Sequence, residues 1–436
     1  MIQDTRSRAP DGTEPSSTGS AGRNDSGRAG HRPRLLFLCH KLPYPATSGA
    51  RLRSFNVLRI LARHFDVTAL FFYRSVEHAD ENAVRDALRE LGRFAEVEAF
   101  PTPQDHSRAR MGADHLLSLV SQTVYTRRVY GSRPFRARLA ELLRTRRFDL
   151  VHVDSLDLVG YLPLLSSLPV VCTHHNVESA LLERRARSER SPLLRRYIAM
   201  QAGLLREEER RWCPRVALNV VVSEADHDGL REIAPGGRYF VVPNGVDTSV
   251  FRPAPGPQEG IVFVGPYSWY PNRDAMEYFA AEILPLVRAR RPDVPVRWVG
   301  RASDEVRRSF RDRYGVELTG YVDEIQPYVQ SAACYVVPLR VGGGTRLKIV
   351  DAWAMGKAMV STSIGCEGLE ARDGENILVR DTPEDFAAAV ESVLADAELR
   401  RRLEEGARET AERVYDWDVI GEQMVPQYMS LLARSR

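Results

Sequence analysis

Twice along this 436-residue chain, short apolar runs alternate with segments of helical periodicity, and a single proline-rich break separates the two series. The first opens with RLLFLCH from Arg34 to His40. It continues through SFNVLRILARHF, where Phe55, Leu58, Leu61 and Ala62 recur at helical spacing, to DVTALFFY. A buried strand, an amphipathic helix and another buried strand make a βαβ unit, which implies a parallel sheet. The pattern repeats through FRARLAELLRTR, FDLVHVD, PVVCTHHN, a charged helical stretch over 180–212, ALNVVVS and YFVVPNGVD. After FRPAPGPQEG it restarts with IVFVG, a helix over 274–290, VPVRWVG, a helix over 303–315, VELTG, CYVVPL, KIVDAWAMG and AMVST. This predicts an α/β protein with two doubly wound Rossmann-like domains, 34–252 and 260–414, joined by a linker at 253–259. Residues 415–436 read as a last helix, and 1–33, rich in Gly, Ser, Pro and Arg, as a disordered tail.

Composition narrows the class. A 43% hydrophobic, 27% charged chain with net charge +3 is that of a globular protein and lacks the basic excess of a nucleic-acid binder. Five scattered cysteines, none in a CxxC spacing, read as buried thiols in a reducing compartment. The first residues carry no apolar signal-peptide core, and no run of about eighteen apolar residues follows, so a cytoplasmic location is expected.

In doubly wound folds, ligands sit at the carboxyl ends of strands. The polar strand ends are His40–Gly49, Thr173–Glu178, Gly265–Asn272, Gly300, Gly320–Asp323 and Arg340–Asp351. The last is the richest: RVGGGTRLKIVD joins a strand to a helix, with three glycines, Arg346, Lys348 and a lone acid, Asp351. Glycines permit close backbone approach to an anion, and the helix N-terminus adds partial positive charge. Arg346 brings a planar fork for phosphate oxygens and Lys348 a point charge. The bland alternative is a flexible turn with two solvated cations. No GxxxxGK[ST] motif is present. His40, His152, His174 and His175 are dispersed in sequence, no metal-ligand pattern stands out, and no metal is expected.

PLRVGGGTRLKIVDAWAMGKAMVSTSIGCEGLEARDGENILVRDTPEDFAAAV resembles the donor-binding region of family 4 (group 1) retaining glycosyltransferases of GT-B architecture. So do LLFLCHKLPYPATSGARLRSFNVLRIL, THHNVESALLERR, VVSEADHDGL, VVPNGVDTSVFRP and FVGPYSWYPNRDAMEYF, in the same order. The resemblance runs from Arg34 to the C-terminus. It implies two domains facing a cleft and a C-terminal helix crossing back to the first domain. It also implies transfer of a sugar from a nucleotide diphosphate sugar, with retention and without a metal or other cofactor.

By the same resemblance, His175 lies near the reacting sugar, and Gly49 brings backbone to the diphosphate. Gly343, Gly344 and Thr345 offer N–H groups to the donor, Arg346 and Lys348 clamp its phosphates, and Asp351 holds the ribose. Tyr321 and Val322 follow a strand where backbone meets the nucleobase, and Glu367 stands within reach of the donor sugar. The chain departs from the family at several places, among them Ser48 in place of a second glycine and Asp351 in place of the usual, longer Glu. Gly343 stands where an acid is usual, and Pro266 and Asn272 occupy places where many relatives carry Arg and Lys. Arg51, Arg53 and Arg273 read either as anion contacts or as solvated helix residues. Glu178 reads as an orienting group for His175 or as a helix start, and Asn244-Gly245 as a turn with positive φ. Partners implied are a nucleotide sugar and an acceptor that is a polysaccharide, a lipid-linked sugar or a small natural product. No nucleic acid is implied, and membrane contact, through the arginine-rich 183–211 stretch, is at most peripheral. An inverting transferase, an epimerase or a nucleotide-sugar-binding protein without turnover are the competing readings.

Overall fold

The computed structural model describes residues 32–46, 48–75, 80–105, 107–342 and 346–434. The expected tail and the loop residues Gly343, Gly344 and Thr345 lie outside these, apart from Arg32 and Pro33. Pro33–Arg436 forms one compact unit that holds two parallel sheets.

The first sheet has β1 (Arg34–Cys39), β2 (Asp66–Tyr73), β3 (Glu96–Pro101), β4 (Leu150–Val153), β5 (Val170–Thr173), β6 (Leu218–Val221) and β7 (Tyr239–Val241). The second has β8 (Ile261–Val264), β9 (Val296–Val299), β10 (Glu317–Leu318), β11 (Cys334–Val337), β12 (Met359–Ser361) and β13 (Leu378–Val379). Their spatial orders are 3-2-1-4-5-6-7 and 10-9-8-11-12-13. Strands with helices on both faces must be apolar throughout, and β1 buries every residue from Leu35 to Cys39. Each order reverses beside its first strand, β1 against β4 and β8 against β11. At such a reversal the loops leave toward opposite faces and open a crevice.

The helix Trp417–Arg434 returns to the first sheet, where Trp417, Ile420, Met424 and Tyr428 share a core with Leu35, Phe37, Val57 and Ile60. Four local expectations are corrected. EVEAFP alternates polar and apolar residues and lacks the apolar run that predicts a buried strand, yet it forms the edge strand β3. The 180–212 stretch is two helices, Glu178–Ser188 and Pro192–Trp212, because Pro192 starts a new helix at its first position under a Ser191 cap. The 274–290 helix is interrupted by a wider turn at Phe279–Ile283 ahead of Pro285, which cannot donate the regular backbone bond. Asn244-Gly245 does not take positive φ. Gly245 is instead required by packing: a Cβ there would lie 2.7 Å from Ile420 Cδ1 and Trp417 Cδ2 and 2.8 Å from the Tyr415 carbonyl oxygen.

That contact ties the turn leaving the first sheet to the returning helix. Gly245→Ala is therefore expected to destabilise the fold by about 1–3 kcal/mol through overpacking. Chemical denaturation checks this; an unchanged midpoint would show that the helix shifts at no cost.

Candidate functional site

At the reversal of the first sheet sits Asp154, just beyond β4 and fully buried. Its carboxylate accepts from the Ser54 hydroxyl, from Cys39 Sγ at 3.2 Å and from His152 Nε2 at 3.2 Å. Burial pushes its pKa up, but the hydrogen bonds from His152 and His175 outweigh that and hold it well below the usual carboxylate range. The Cys39 thiol is pushed the other way by burial and by the Asp154 charge, so it stays protonated and donates. His152 is driven toward neutrality by burial. Its Nε2–H faces Asp154, so its Nδ1 accepts from the Tyr428 hydroxyl at 2.9 Å. The returning helix thereby reaches the crevice through one imidazole.

His175, beyond β5, donates Nε2–H to the Asp154 main-chain oxygen at 2.8 Å, and the same nitrogen lies 3.5 Å from the carboxylate. This sets its tautomer and leaves Nδ1 as its other polar atom. His40 meets it edge-on, with ring centroids 5.8 Å apart. Burial lowers the His40 pKa to about 3. Three of the four histidines that look dispersed in sequence therefore gather around one carboxylate. Cys39, His40 and Asp154 bring ligand-type atoms within 4.8 Å of one another. His174 points away and bonds Asn219 Oδ1 at 2.9 Å. Glu178 opens its helix and accepts from Asn176 at 3.2 Å; it makes no hydrogen bond to His175 among the described residues. Burial and the nearby Asp157 push its pKa up to about 7.

Neither Arg51 nor Arg53 is the solvated helix residue that sequence statistics favour, since both are buried. Arg53 donates to the Pro243 carbonyl at 3.0 Å and to Asn244 Oδ1 at 3.1 Å, joining the helix Gly49–Ala62 to the turn that leads out of the first sheet. Its Nε and Nη2 are buried without partners. Gly49 is the first residue of that helix. A Cβ there would lie 2.9 Å from Leu347 Cδ1 on the second-sheet side.

Leu347 opens the helix Leu347–Ala354, which follows β11 at the reversal of the second sheet. Gly342 has φ +146°, a backbone conformation that favours glycine, and the Arg346 guanidinium lies against it, 2.8 Å from where a Cβ would stand. Arg346 is buried and donates to the Ile364 carbonyl at 3.3 Å. Lys348 Nζ donates to Asn272 Oδ1 at 2.6 Å and lies 4.2 Å from the Phe263 ring centroid. Burial, and then the Arg346 charge, push its pKa down to about 7. Asn272 also donates to the Pro266 carbonyl at 3.1 Å. The place where relatives carry a cation thus holds an acceptor for one supplied from the next loop. Asp351 lies one turn into the helix, half-buried and without a hydrogen-bond or ion-pair partner among the described residues. Burial pushes its carboxyl up to about 7.

The rim is more open. Tyr321 is 65% exposed, with the Arg301 guanidinium 4.5 Å above its ring, while Val322 packs inward. Gly320 ahead of them takes φ +80°. Glu367 is exposed and lines a cavity of about 410 Å³ between the halves, together with Arg184, Ser223 and Asp226 from one side and Arg340 and Gly342 from the other. Arg273 is exposed beside the Tyr270 ring. Sequence reasoning missed Asp154, and it marked Asn272 only as a departure from the family, not as the acceptor for Lys348. The signal for Asp154 was available, because FDLVHVD ends a strand on an acid.

A model of "Glycosyltransferase Family 4" matches residues 81–250, and one of "Glycosyl transferases group 1" matches 258–396. One match falls on each half, and together they span most of the chain. The phosphatidyl-myo-inositol mannosyltransferase of Mycobacterium tuberculosis is 29% identical over 300 residues, 64% of this chain and 73% of that protein. The lipopolysaccharide core biosynthesis glycosyltransferase LpsE of Rhizobium meliloti is 33% identical over 125 residues, 27% of this chain and 34% of that protein. Among solved structures, Anabaena Alr3699/HepE in complex with UDP superimposes with a TM-score of 0.63 at 15% identity, covering 91% of this chain and all of that one. Sucrose-phosphate synthase from Thermosynechococcus elongatus does so with a TM-score of 0.63 at 17% identity, covering 92% and 100%. These similarities of fold agree with two parallel sheets facing a crevice. The chain belongs to the family 4, group 1 glycosyltransferases, transferases of GT-B architecture.

Proposed function

We propose that this glycosyltransferase moves a sugar from a nucleoside diphosphate sugar to an acceptor hydroxyl, with retention of configuration and without a metal ion. The observation that carries the reading is the approach of two helix N-termini, at Gly49 and Leu347, with Arg346 and Lys348 beside them. Neither N-cap residue, Ser48 or Arg346, caps its helix with its side chain. First-turn N–H groups and two cations would then meet the charge that develops on the leaving diphosphate. Gly343, Gly344 and Thr345 belong to this donor seat by family resemblance. Asp351 would accept from the ribose hydroxyls, Tyr321 and Val322 would border the base, and Glu367 would reach the sugar from the rim. UDP in the Anabaena HepE structure is the kind of leaving group this seat suits.

Across the crevice, His175 is held at Nε2 and offers Nδ1 to a sugar hydroxyl, a positioning role. The acceptor oxygen forms its bond to the anomeric carbon as the bond to the phosphate oxygen breaks. The acceptor proton passes to that phosphate oxygen. A carboxylate nucleophile is not needed on this route.

Nucleoside diphosphate release should appear for one of a panel of nucleotide sugars when acceptors are added, and persist in EDTA. His175→Ala should lower kcat about 100-fold or more while leaving donor affinity within about twofold. Donor binding without turnover across all acceptors would point to a binding protein instead.

Arg346→Ala should weaken donor binding by about 1–3 kcal/mol, as loss of a charge-assisted hydrogen bond does. Calorimetric titration with an intact nucleotide sugar measures it, and unchanged affinity would remove Arg346 from the clamp.

Donor affinity should peak near neutral pH. Lys348, lowered to about 7 in the free protein, must take up a proton to bind a diphosphate above that pH, so affinity falls as pH rises. Asp351, raised to about 7, must release one to accept from ribose below that pH, so affinity falls as pH drops. Each limb approaches about tenfold per pH unit. Lys348→Met should flatten the alkaline limb and Asp351→Asn the acid limb. A profile unchanged in both variants would refute the assignment.

A further inference from the structure

The helix Arg108–Ser121 is built inside out. Its buried residues are Asp114 and Ser118. Gln104 donates to Asp114 at 2.7 Å, Gln201 donates to Ser118 Oγ at 2.7 Å, and His115 Nδ1 lies 2.6 Å from the Tyr197 hydroxyl. Its apolar residues point to solvent: Met111 is 45% exposed, Leu116 61%, Leu117 45%, Leu119 45% and Val120 75%. A surface helix of a globular protein normally buries its apolar stripe and presents its polar one. Here hydrogen bonds hold the helix to the body, and five apolar side chains are left for a partner.

The patch continues onto the neighbouring helix. The pairs His115–Tyr197 and Ser118–Gln201 run in step, so Arg108–Ser121 lies parallel to Pro192–Trp212. One turn back along each helix, Met111 comes level with Leu193, which is 83% exposed, next to Leu194 at 42%. Arginines surround this corner: Arg187, Arg190, Arg195 and Arg196 are all exposed. Within 107–128 and 184–206, the only acids are Asp114, which faces inward, and Glu189.

We propose that this face docks on an anionic lipid bilayer. Leucine and valine side chains enter the acyl boundary while arginines meet the headgroups, a combination that gives peripheral and salt-sensitive binding. A second copy of the chain fits worse, because a two-fold interface would set the arginine corner against itself or against more apolar surface without opposing charge. The helix Glu178–Ser188 connects the docking corner to the crevice. It starts three residues after His175, runs about 15 Å and sends Arg184 into the cavity between the halves. Docking requires no particular donor or acceptor, so its outcome is independent of the proposed reaction.

The full chain should co-sediment with vesicles of phosphatidylcholine containing about a third phosphatidylglycerol, less so at raised salt, and only weakly with phosphatidylcholine alone. Leu116→Ser/Val120→Ser should lower the partition coefficient about tenfold or more. Leu193→Ser should also lower it, and so should Arg195→Ala/Arg196→Ala on anionic vesicles alone. Thermal melting should stay at the parent value, because each side chain is exposed. Absence of binding to anionic vesicles at low salt would overturn the proposal, as would parental binding by Leu116→Ser/Val120→Ser. A solution dimer that Val120→Ser dissolves would instead make a second copy the occupant.

Discussion

The buried charge of Asp154 is the constraint on which the first half of the molecule depends. A carboxylate withdrawn from water is tolerated only with a nearly complete set of donors, and removing one partner of a buried ionic group costs about 3–5 kcal/mol. The donors come from separate elements: Cys39 from the end of β1, Ser54 from the helix Gly49–Ala62, and His152 from β4. Through His152 the set extends to Tyr428 on the returning helix, and through its own carbonyl Asp154 holds His175. The orientation of the candidate catalytic imidazole is therefore coupled to the assembly of the whole crevice, including a helix that is last in sequence.

The second half inverts the sign. Lys348 is a half-buried cation whose partners among the described residues are an amide oxygen and an aromatic face, with no carboxylate. Such surroundings orient the ammonium but leave its charge poorly compensated, which is why burial depresses its pKa. Asp351, half-buried, is likewise without a countercharge among the described residues. Both groups lie at one helix start, each held away from its preferred ionic state. A diphosphate beside Lys348 and hydroxyl donors beside Asp351 would relieve both. Perturbation of this kind, at the point where a sheet reverses its strand order, is characteristic of binding clefts.

Much of this was legible in the sequence, for identifiable reasons. Strands covered on both faces must be continuously apolar, so β1, β2, β8 and β11 announce themselves. The edge strand β3, half-exposed, does not. Loops that carry charge at strand ends were visible at Thr173–Glu178 and Arg340–Asp351 because local composition marks them. Long-range partnerships were not. Nothing in the spacing of Arg53 shows that it reaches Asn244, or that Asn272 accepts from Lys348. Gly245 was misread for a related reason: an Asn-Gly pair signals positive φ locally, but here the crowding comes from a helix about 170 residues later.

The inside-out helix shows the same limit from the other side. The run LLSLV within Arg108–Ser121 is of a composition that folds inward when it has a core to join. Here that place is taken by Asp114, His115 and Ser118, whose hydrogen bonds to Gln104, Tyr197 and Gln201 are satisfied only in that orientation. Turning the helix over would bury the leucines but strand three polar groups beside a buried Gln201 and a half-buried Gln104 and Tyr197, at up to about 1–3 kcal/mol for each unsatisfied group. The apolar residues are thus held outward by a network on the opposite face, and the exposed surface is a consequence of specific hydrogen bonding as much as of composition.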